Sequence, residues 1–117
     1  MPKKNQPNSE MLQDTLDMMI LRTLVGGDMH GHTIAKVIEH ISEDLLGVEQ
    51  GSLYPALHRI EDRKWVSSYW SASENNRKAK FYRLTAEGRK RLVGETSRWR
   101  QMIRAIGLVI GEEGGAQ

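Results

Sequence analysis

Residues 51–84 read GSLYPALHRIEDRKWVSSYWSASENNRKAKFYRL, and the period of the apolar side chains changes within this stretch. In its first part Leu53, Leu57 and Ile60 recur at helical spacing, which predicts a helix over about residues 51–64. The predicted helix has an apolar stripe on one side and a largely polar side opposite to it.

The rest of this stretch has the composition of two β-strands joined by a tight turn. Residues 65–71 are aromatic or β-branched with serine at intervals, and residues 79–84 alternate in a similar way, so both are predicted to be strands. Between them the adjacent Asn75 and Asn76 favour the left-handed backbone angles of a hairpin turn. A β-hairpin is therefore expected to follow the helix directly.

Two further helices are predicted upstream of this stretch. Apolar residues recur at helical spacing over residues 12–25 and again over residues 32–42. Gly26 and Gly27 break the first of these helices, because glycine leaves helical angles at low cost. Three short helices, the last two forming a tight pair, resemble a helix-turn-helix. With the hairpin added, the predicted fold is mainly α with a small β-hairpin: a winged helix-turn-helix domain over residues 11–84.

A long helix is predicted after the hairpin, and its apolar side chains are spaced for contact with another helix. Thr85 is of a residue type that caps helix N-termini. The apolar spacings then alternate between four and three, as in a coiled-coil seam, at Leu92, Thr96, Trp99, Ile103, Ile106 and Ile110. Such a seam favours a two-fold homodimer, with an interface of Leu92, Trp99, Ile103, Ile106 and Ile110. The alternative, expected for part of the helix, is that it folds back onto the first helix of its own chain.

Length and composition exclude several classes of protein. The 117 residues suit one winged domain with a flexible arm (residues 1–10), a dimerisation helix (residues 85–111) and a flexible tail (residues 112–117). No apolar run approaches the roughly 18 residues of a membrane span, and the polar N-terminus lacks a secretory signal. The absence of cysteine excludes disulfides and thiolate metal sites and suits the cytoplasm, where we expect the protein to be.

The sequence contains no pattern of catalytic or metal-binding residues. The four histidines lack metal-ligand spacing, so we expect them to act as helix caps or surface residues and expect no metal site. The paired acids Glu43-Asp44 and Glu61-Asp62 sit on polar faces, without the apolar walls that would raise a pKa. The usual phosphate-binding and hydrolase motifs are absent as well. We therefore expect neither an enzyme nor a bound cofactor.

Positive charge is concentrated in the middle third of the chain. Residues 51–83 carry seven Lys or Arg against three Asp or Glu, whereas residues 1–50 carry four against eight. A basic segment of this kind attracts a polyanion. The alternative is a basic surface that is only solvated.

The strongest candidate site combines the outer side of the third helix with the hairpin, and it suits double-stranded DNA. The N-terminal residues of a helix reach base edges in the major groove, while nearby groups bind phosphates. Ser52 suits a phosphate at the helix start, and Tyr54 offers a ring to sugars or thymine methyls. The candidate residues are Ser52, Tyr54, Pro55 (expected in the first helical turn), His58 and Arg59 on the helix, and Arg77, Lys78 and Lys80 on the hairpin. The alternative is that Tyr54 packs inside the domain and the basic residues are only solvated.

Trp99 lies in the middle of the predicted seam. In a two-fold dimer it would approach its symmetry mate, and two indoles could then hold a flat apolar ligand between them. The alternative is that Trp99 only fills the seam.

Four segments carry a resemblance to a known family. They read TLDMMILRTL, MHGHTIAKVIEH, VEQGSLYPALHRIEDRKWVSSYW and ENNRKAKFYRLTAEGRKRL, and the most specific feature is GSLYPALHRIE followed at a hairpin's distance by RLTAEGR. Together they resemble the PadR family of bacterial transcriptional regulators. The likeness runs from about residue 12 to residue 110. It is to the smaller subfamily, which has a single C-terminal helix.

The resemblance implies a winged-helix DNA-binding domain and a homodimer formed through the C-terminal helix. It implies that Ser52, Tyr54, Pro55 and His58 or Arg59 lie on the recognition helix, and that Asn76, Arg77 and Lys78 lie on the wing. Members of the family are usually repressors that release DNA when a small ligand binds. Some members of the smaller subfamily hold flat hydrophobic drugs between paired tryptophans, and Trp99 lies where such a tryptophan is expected.

The function expected from the sequence is sequence-specific DNA binding by a homodimeric repressor with a palindromic operator. Regulation by a small hydrophobic or aromatic effector at Trp99 and regulation by protein concentration alone are both open. The rival hypothesis is a winged-helix module that docks on another protein without sequence-specific DNA binding. Added salt separates the two, because DNA affinity falls steeply through counterion release.

Overall fold

The fold consists of four helices and a small antiparallel sheet in a computed structural model. The structure describes the backbone of residues 7–111 and the side chains from residue 14 onward. In chain order the elements are α1 (Pro7–Leu24), β1 (Met29–His30), α2 (Gly31–Ile41), α3 (Gln50–Asp62), β2 (Val66–Ala72), β3 (Lys78–Leu84) and α4 (Ala86–Ile110). This order confirms the predicted winged helix-turn-helix with one C-terminal helix. Residues 1–6 and 112–117 lie outside the described residues, and so do most of the predicted arm and the whole predicted tail.

Helix α1 begins earlier than predicted. Its first residue is Pro7 rather than residue 12, so residues 7–10, which were expected to belong to the arm, are helical. Proline suits the start of a helix because its missing N–H would have no intrahelical partner there. The helix ends at Leu24, and the chain then turns through Gly27, whose φ of 139° is one that residues with a Cβ rarely adopt.

The sheet contains one strand more than the predicted hairpin. β2 and β3 pair antiparallel from Val66↔Leu84 to Ala72↔Lys78, and Asn76 in the turn between them has a left-handed φ of 61°, as predicted. β1 pairs with the other edge of β3, so the strand order is β1-β3-β2. The sequence pattern did not reveal β1, because a strand of two residues is too short to show alternation.

One apolar core joins α1, α2, α3, the sheet and the first part of α4. Its buried residues are Ile20, Leu21, Leu24, Ile34, Ile38, Leu53, Ala56, Leu57, Ile60, Val66, Tyr82 and Leu92. Leu92, which is only 7% exposed, brings α4 into this core, and α4 contacts α1. The predicted fold-back of the last helix onto the first is therefore present for its N-terminal part.

The first turn of α4 is fixed against the segment that joins α3 to β2. Thr85 is the predicted N-cap: its hydroxyl oxygen accepts a hydrogen bond from the Gly88 N–H at 3.0 Å. The same hydroxyl donates to the Lys64 carbonyl at 2.7 Å, and the Thr85 N–H donates to the Trp65 carbonyl at 3.1 Å. A Cβ on Gly88 would overlap the Trp65 carbonyl oxygen, so glycine is required at this contact. The start of α4 is thus held in one position relative to α3.

The second half of α4 leaves the domain and exposes its apolar side chains. The exposed residues are Trp99, Met102, Ile103, Ile106, Leu108, Val109 and Ile110. Within residues 7–111, no helix combines the length and the apolar character needed to cross a membrane.

Candidate nucleic-acid interface

Helix α3 turns one side to the core and leaves the other side free, as its sequence pattern predicts. Ser52, Pro55 and His58 are all exposed on the free side. Pro55 lies in the second turn and not in the first as predicted, because α3 already begins at Gln50. Proline has no N–H, so Pro55 cannot donate to the carbonyl of Gly51 one turn earlier. The Gly51 carbonyl therefore lacks the helical donor that another residue at position 55 would supply.

The N-terminal end of α3 is open to solvent. Glu49 occupies the N-cap position and makes no side-chain hydrogen bond to the helix. The next three residues, Gln50, Gly51 and Ser52, are all exposed. A helix N-terminus presents amide N–H groups and the positive end of the helix dipole, a combination that suits a phosphate group.

Tyr54 stands at the junction between α3 and α2, and its side chain is exposed rather than packed inside the domain. Its ring rests on Gly31, the first residue of α2. A Cβ on Gly31 would lie 3.0 Å from both Cε1 and Oη of Tyr54, so the absence of a side chain lets the ring approach this closely. Gly31 therefore helps to position Tyr54. The sequence pattern did not single out Gly31, since contacts between helices leave no mark in the local spacing of residues.

Arg59, predicted on the outer face of α3, turns instead toward α1. Its Nη2 donates to Oδ1 of Asp17 at 2.7 Å and its Nε donates to Oδ2 at 3.3 Å, which is a two-point ion pair. The Asp17 side chain is only 7% exposed and the Arg59 side chain is 28% exposed. The assignment of Arg59 to the outer face is therefore corrected: the core needs its charge, because a buried carboxylate without a partner is strongly unfavourable.

The ionisation of Asp17 reflects this partly buried pair. Burial raises the pKa of the Asp17 carboxyl above its ordinary value, and the hydrogen bond and the charge of Arg59 offset that rise only in part. The carboxylate is thus held in an environment that disfavours its charge. The pair fixes α3 against α1 and so sets the orientation of the exposed side of α3.

The wing, defined here as β2, β3 and the turn between them, carries cations at its tip. Asn76, Arg77 and Lys78 are all exposed. The Lys78 ammonium lies 5.8 Å from the centre of the Trp70 ring, over its face. Trp70 is itself exposed. The sequence pattern did not reveal this, because strand alternation does not show whether an aromatic residue is covered.

Lys80, the third predicted wing cation, is partly engaged within the domain. Its Nζ lies 3.6 Å from Oε1 of Glu61 on α3, and the Ser68 hydroxyl donates to Oε2 of the same carboxylate at 2.5 Å. Lys80 therefore links the wing to Glu61 of α3. Through Lys80 and Ser68, the structure places the wing beside α3.

The histidines occupy capping and surface positions. His30 is the N-cap of α2, where its Nδ1 accepts from the Thr33 N–H at 3.4 Å. Its Nε2 lies 3.7 Å from the Glu74 carboxylate in the wing turn. In the part of the chain that the structure describes, no group of three or more potential ligands is arranged to hold a metal ion.

The predicted dimer residues divide into two groups. Leu92 belongs to the core of its own chain, which corrects its assignment to an interface: α4 still covers α1 at this point. Trp99, Ile103, Ile106 and Ile110 are exposed along the part of α4 that extends away from the domain. Exposed apolar side chains at this density mark a surface for association.

The chain matches one protein family and is similar to several known proteins. The model of the Transcriptional regulator PadR-like family matches residues 20–93, which contain α3 and the wing. A transcriptional regulator from Clostridium thermocellum is 28% identical, with a TM-score of 0.76 over 84% of this chain and 95% of that chain. A PadR family transcription regulator from Clostridium difficile is also 28% identical, with a TM-score of 0.70 over 82% and 98% of the two chains. An uncharacterized protein from Lysinibacillus sphaericus is 25% identical over 100 residues, 86% of this chain and 92% of that protein.

Proposed function

This chain belongs to the PadR-like family of transcriptional regulators, and from that premise we propose that it is a homodimeric repressor that binds a palindromic DNA operator. The family consists of DNA-binding regulators and not of enzymes, which confirms the prediction that the chain is not an enzyme. We assign the protein to the cytoplasm, where a repressor reaches its operator.

The observation that supports this function best is the open start of α3 next to a cationic wing. In the proposed complex α3 enters the major groove with its exposed N-terminal half, and the side chains that reach the DNA are Ser52, Tyr54, Pro55 and His58. The amide groups at the start of α3 bind a phosphate. The wing lies over the neighbouring stretch of backbone, where Asn76, Arg77, Lys78 and, through its free N–H groups, Lys80 contact phosphates. Arg59 takes no part, because its guanidinium is bound to Asp17.

The proposed dimer forms along the second half of α4. Trp99, Ile103, Ile106 and Ile110 continue the heptad spacing on a surface that is exposed in the single chain. A two-fold axis through this surface presents two copies of α3 to the two halves of a palindrome. Half-sites in such operators lie about 34 Å apart, or one turn of DNA.

The proposed effector site lies at Trp99 in the same interface. An exposed indole and its symmetry mate offer two flat apolar surfaces, which suit a small hydrophobic or aromatic ligand. A ligand that binds one crossing angle of the two α4 helices more tightly than another shifts the population of dimers able to bind the operator. Binding of a planar aromatic dye, measured by quenching of Trp99 fluorescence, tests this part, and Trp99→Ala should abolish it.

The first experiment is binding to a labelled fragment of the gene's own upstream region, at two salt concentrations and with excess competitor DNA. We expect tight binding that resists competitor and weakens with salt. Weak binding to every fragment, from a protein that is dimeric in solution, would instead favour a module that docks on another protein.

Matched variants sharpen this experiment. Arg77→Gln should lower the slope of log affinity against log salt by about 0.9, the share of one phosphate contact. Lys90→Gln removes an exposed cation of α4 outside the proposed interface and should leave the slope unchanged. Tyr54→Ala should weaken operator binding while the dimer persists, and unchanged affinity would remove α3 from the proposed interface.

The dimer is tested by a charge in the seam. Ile103→Asp should give monomers in sedimentation velocity, because the interface cannot solvate a buried carboxylate. Ala105→Asp places the same charge on the opposite side of α4 and should leave a dimer. Dimers in both variants would show that the seam is not the interface.

A further inference from the structure

Trp70 is 62% exposed on β2, although tryptophan buries more apolar area than any other residue when it is covered. Trp65, five residues earlier, shows the contrast: its ring is half-buried between the guanidinium groups of Arg63 and Arg91. The Trp70 indole is therefore not covered by its own domain, and a molecule outside the domain is a candidate to contact it.

The strand register shows which way Trp70 faces. Val66, Ser68 and Trp70 alternate along one side of β2, and they pair with Leu84, Tyr82 and Lys80 of β3. On this side Val66 and Tyr82 are buried in the core, and the Ser68 hydroxyl bonds to Glu61 of α3. Trp70 therefore lies on the α3-facing side of the wing, two residues beyond Ser68 on β2 and level with Lys80 on β3, which contacts Glu61 of α3.

The surroundings of Trp70 combine an apolar surface with positive charge. The Lys78 ammonium lies 5.8 Å from the ring centre, and Lys80 is the residue directly paired with Trp70 across the strands. Glu61 of α3, an acid beside this surface, is already bonded to Lys80 and Ser68. A ligand that suits this patch carries negative charge and an apolar portion within a few ångströms of each other. The sugar-phosphate backbone of DNA has both.

The position of the patch matches where one strand of DNA would run. If α3 occupies the major groove and the wing tip reaches the neighbouring minor groove, the strand between these grooves passes through the angle between α3 and the wing. We propose that Trp70 stacks on a deoxyribose of this strand and that Lys78 neutralises the adjoining phosphate. This inference rests on the proposed DNA-binding function. It adds an aromatic contact that holds the backbone without reading a base, so Trp70 contributes affinity and not sequence preference.

The test compares Trp70→Ala, Trp70→Phe and Lys78→Gln in the full-length protein. Fluorescence anisotropy measures binding to the operator fragment and to a scrambled fragment at four salt concentrations. We expect Trp70→Ala to weaken both complexes by about tenfold, in the lower part of the range for stacking of a base on an aromatic side chain, with an unchanged salt slope. Trp70→Phe should recover most of the affinity, and Lys78→Gln should lower the slope by about 0.9. Because the side chain is exposed, circular dichroism should show the same fold for all three variants.

The outcomes separate this inference from the function on which it rests. Operator binding by wild-type protein with unchanged affinity in Trp70→Ala would overturn the Trp70 contact and leave the proposed function intact. A loss confined to the operator fragment would also overturn it, since it would mean that Trp70 reads a base. Failure of the wild-type protein to bind either fragment would overturn both. As a direct readout, a protein with Trp65→Phe and Trp99→Phe retains Trp70 as its single tryptophan, whose fluorescence should change when DNA is added.

Discussion

Replacement of Arg59 by methionine separates a structural role for this residue from a DNA-binding role. Methionine keeps an unbranched apolar side chain but removes the charge that neutralises Asp17, whose side chain is 7% exposed. Breaking a buried ion pair from one side costs about 3–5 kcal/mol. Because the Arg59 side chain retains 28% exposure, we expect a loss of about 3 kcal/mol in the free energy of unfolding at pH 7. That is a large share of the roughly 5–15 kcal/mol that stabilises a typical domain.

The loss should depend on pH in a defined direction. Burial already raises the pKa of Asp17 above its ordinary value of 3.8, and removal of Arg59 raises this pKa further. A carboxyl with a raised pKa favours the folded state at low pH, and this contribution is lost as the pH rises through the folded-state pKa. The variant should therefore lose less stability at pH 5 than at pH 7. Urea unfolding followed by circular dichroism, at one protein concentration, measures both values.

A second variant provides the control. Asp17→Asn combined with Arg59→Met removes both charges, and it should recover most of the lost stability and its dependence on pH. If Arg59 only supports α3, the double variant should bind the operator almost as wild-type protein does. A stable Arg59→Met variant with weakened DNA binding would refute the reasoning, and so would an equal loss of stability at both pH values.

Three further predictions follow from close contacts and from the wing turn. Gly88→Ala should lower the free energy of unfolding, measured by urea titration, by at least about 3 kcal/mol, because its Cβ would overlap the Trp65 carbonyl. The control is Gly94→Ala on the same helix, which has open space around it and should be neutral or stabilising. Gly31→Ala should displace the Tyr54 ring, so we expect weaker operator binding in anisotropy assays with a nearly unchanged melting temperature. Asn76 has a left-handed φ, so Asn76→Gly should keep the stability of the wing, whereas Asn76→Val should reduce the free energy of unfolding by about 1 kcal/mol. If Asn76→Gly nevertheless binds DNA more weakly, the lost affinity comes from the missing side-chain amide.

Local sequence signals were sufficient for most of the architecture. Helices α2 and α3 follow from apolar residues one turn apart, and the wing turn follows from Asn76, whose side chain tolerates a left-handed φ. Thr85 marked the start of α4 because its hydroxyl is of the kind that satisfies a free amide at a helix N-terminus. Each of these signals concerns residues within one turn of one another. They fail at β1, where two residues form a strand only because β3 lies beside them.

The candidate site was less accessible from the sequence because its corrections depend on distant partners. Arg59 sits at the border between the buried and exposed sides of α3, and only the fold shows that Asp17, 42 positions earlier, faces it. The heptad spacing continues without a break from Leu92 to Ile110, although Leu92 covers its own chain and the later residues are exposed. Periodicity identifies which side of a helix is apolar, but it does not identify what covers that side.

The junction between α3 and α4 determines how an event at α4 can reach DNA. Thr85 donates hydrogen bonds to the carbonyl oxygens of Lys64 and Trp65, which lie in the segment between α3 and β2. The Trp65 ring lies between Arg63 and Arg91, whose guanidinium carbons are 5.1 Å and 4.9 Å from the ring centre. These backbone and side-chain contacts therefore hold the end of α3 and the first two turns of α4 in a fixed relative orientation.

Because this junction is rigid, a rotation of α4 is transmitted to the winged domain and is not absorbed by a flexible connection. In the proposed dimer, a change in the crossing angle of the two α4 helices cannot be absorbed between α3 and α4, so each winged domain has to rotate as a body. Trp99 lies two turns beyond Leu92, the point at which α4 leaves the core. A ligand bound there would change the separation of the two α3 helices without approaching the DNA. Even a small change in crossing angle is enough, because a palindrome tolerates little error in half-site spacing.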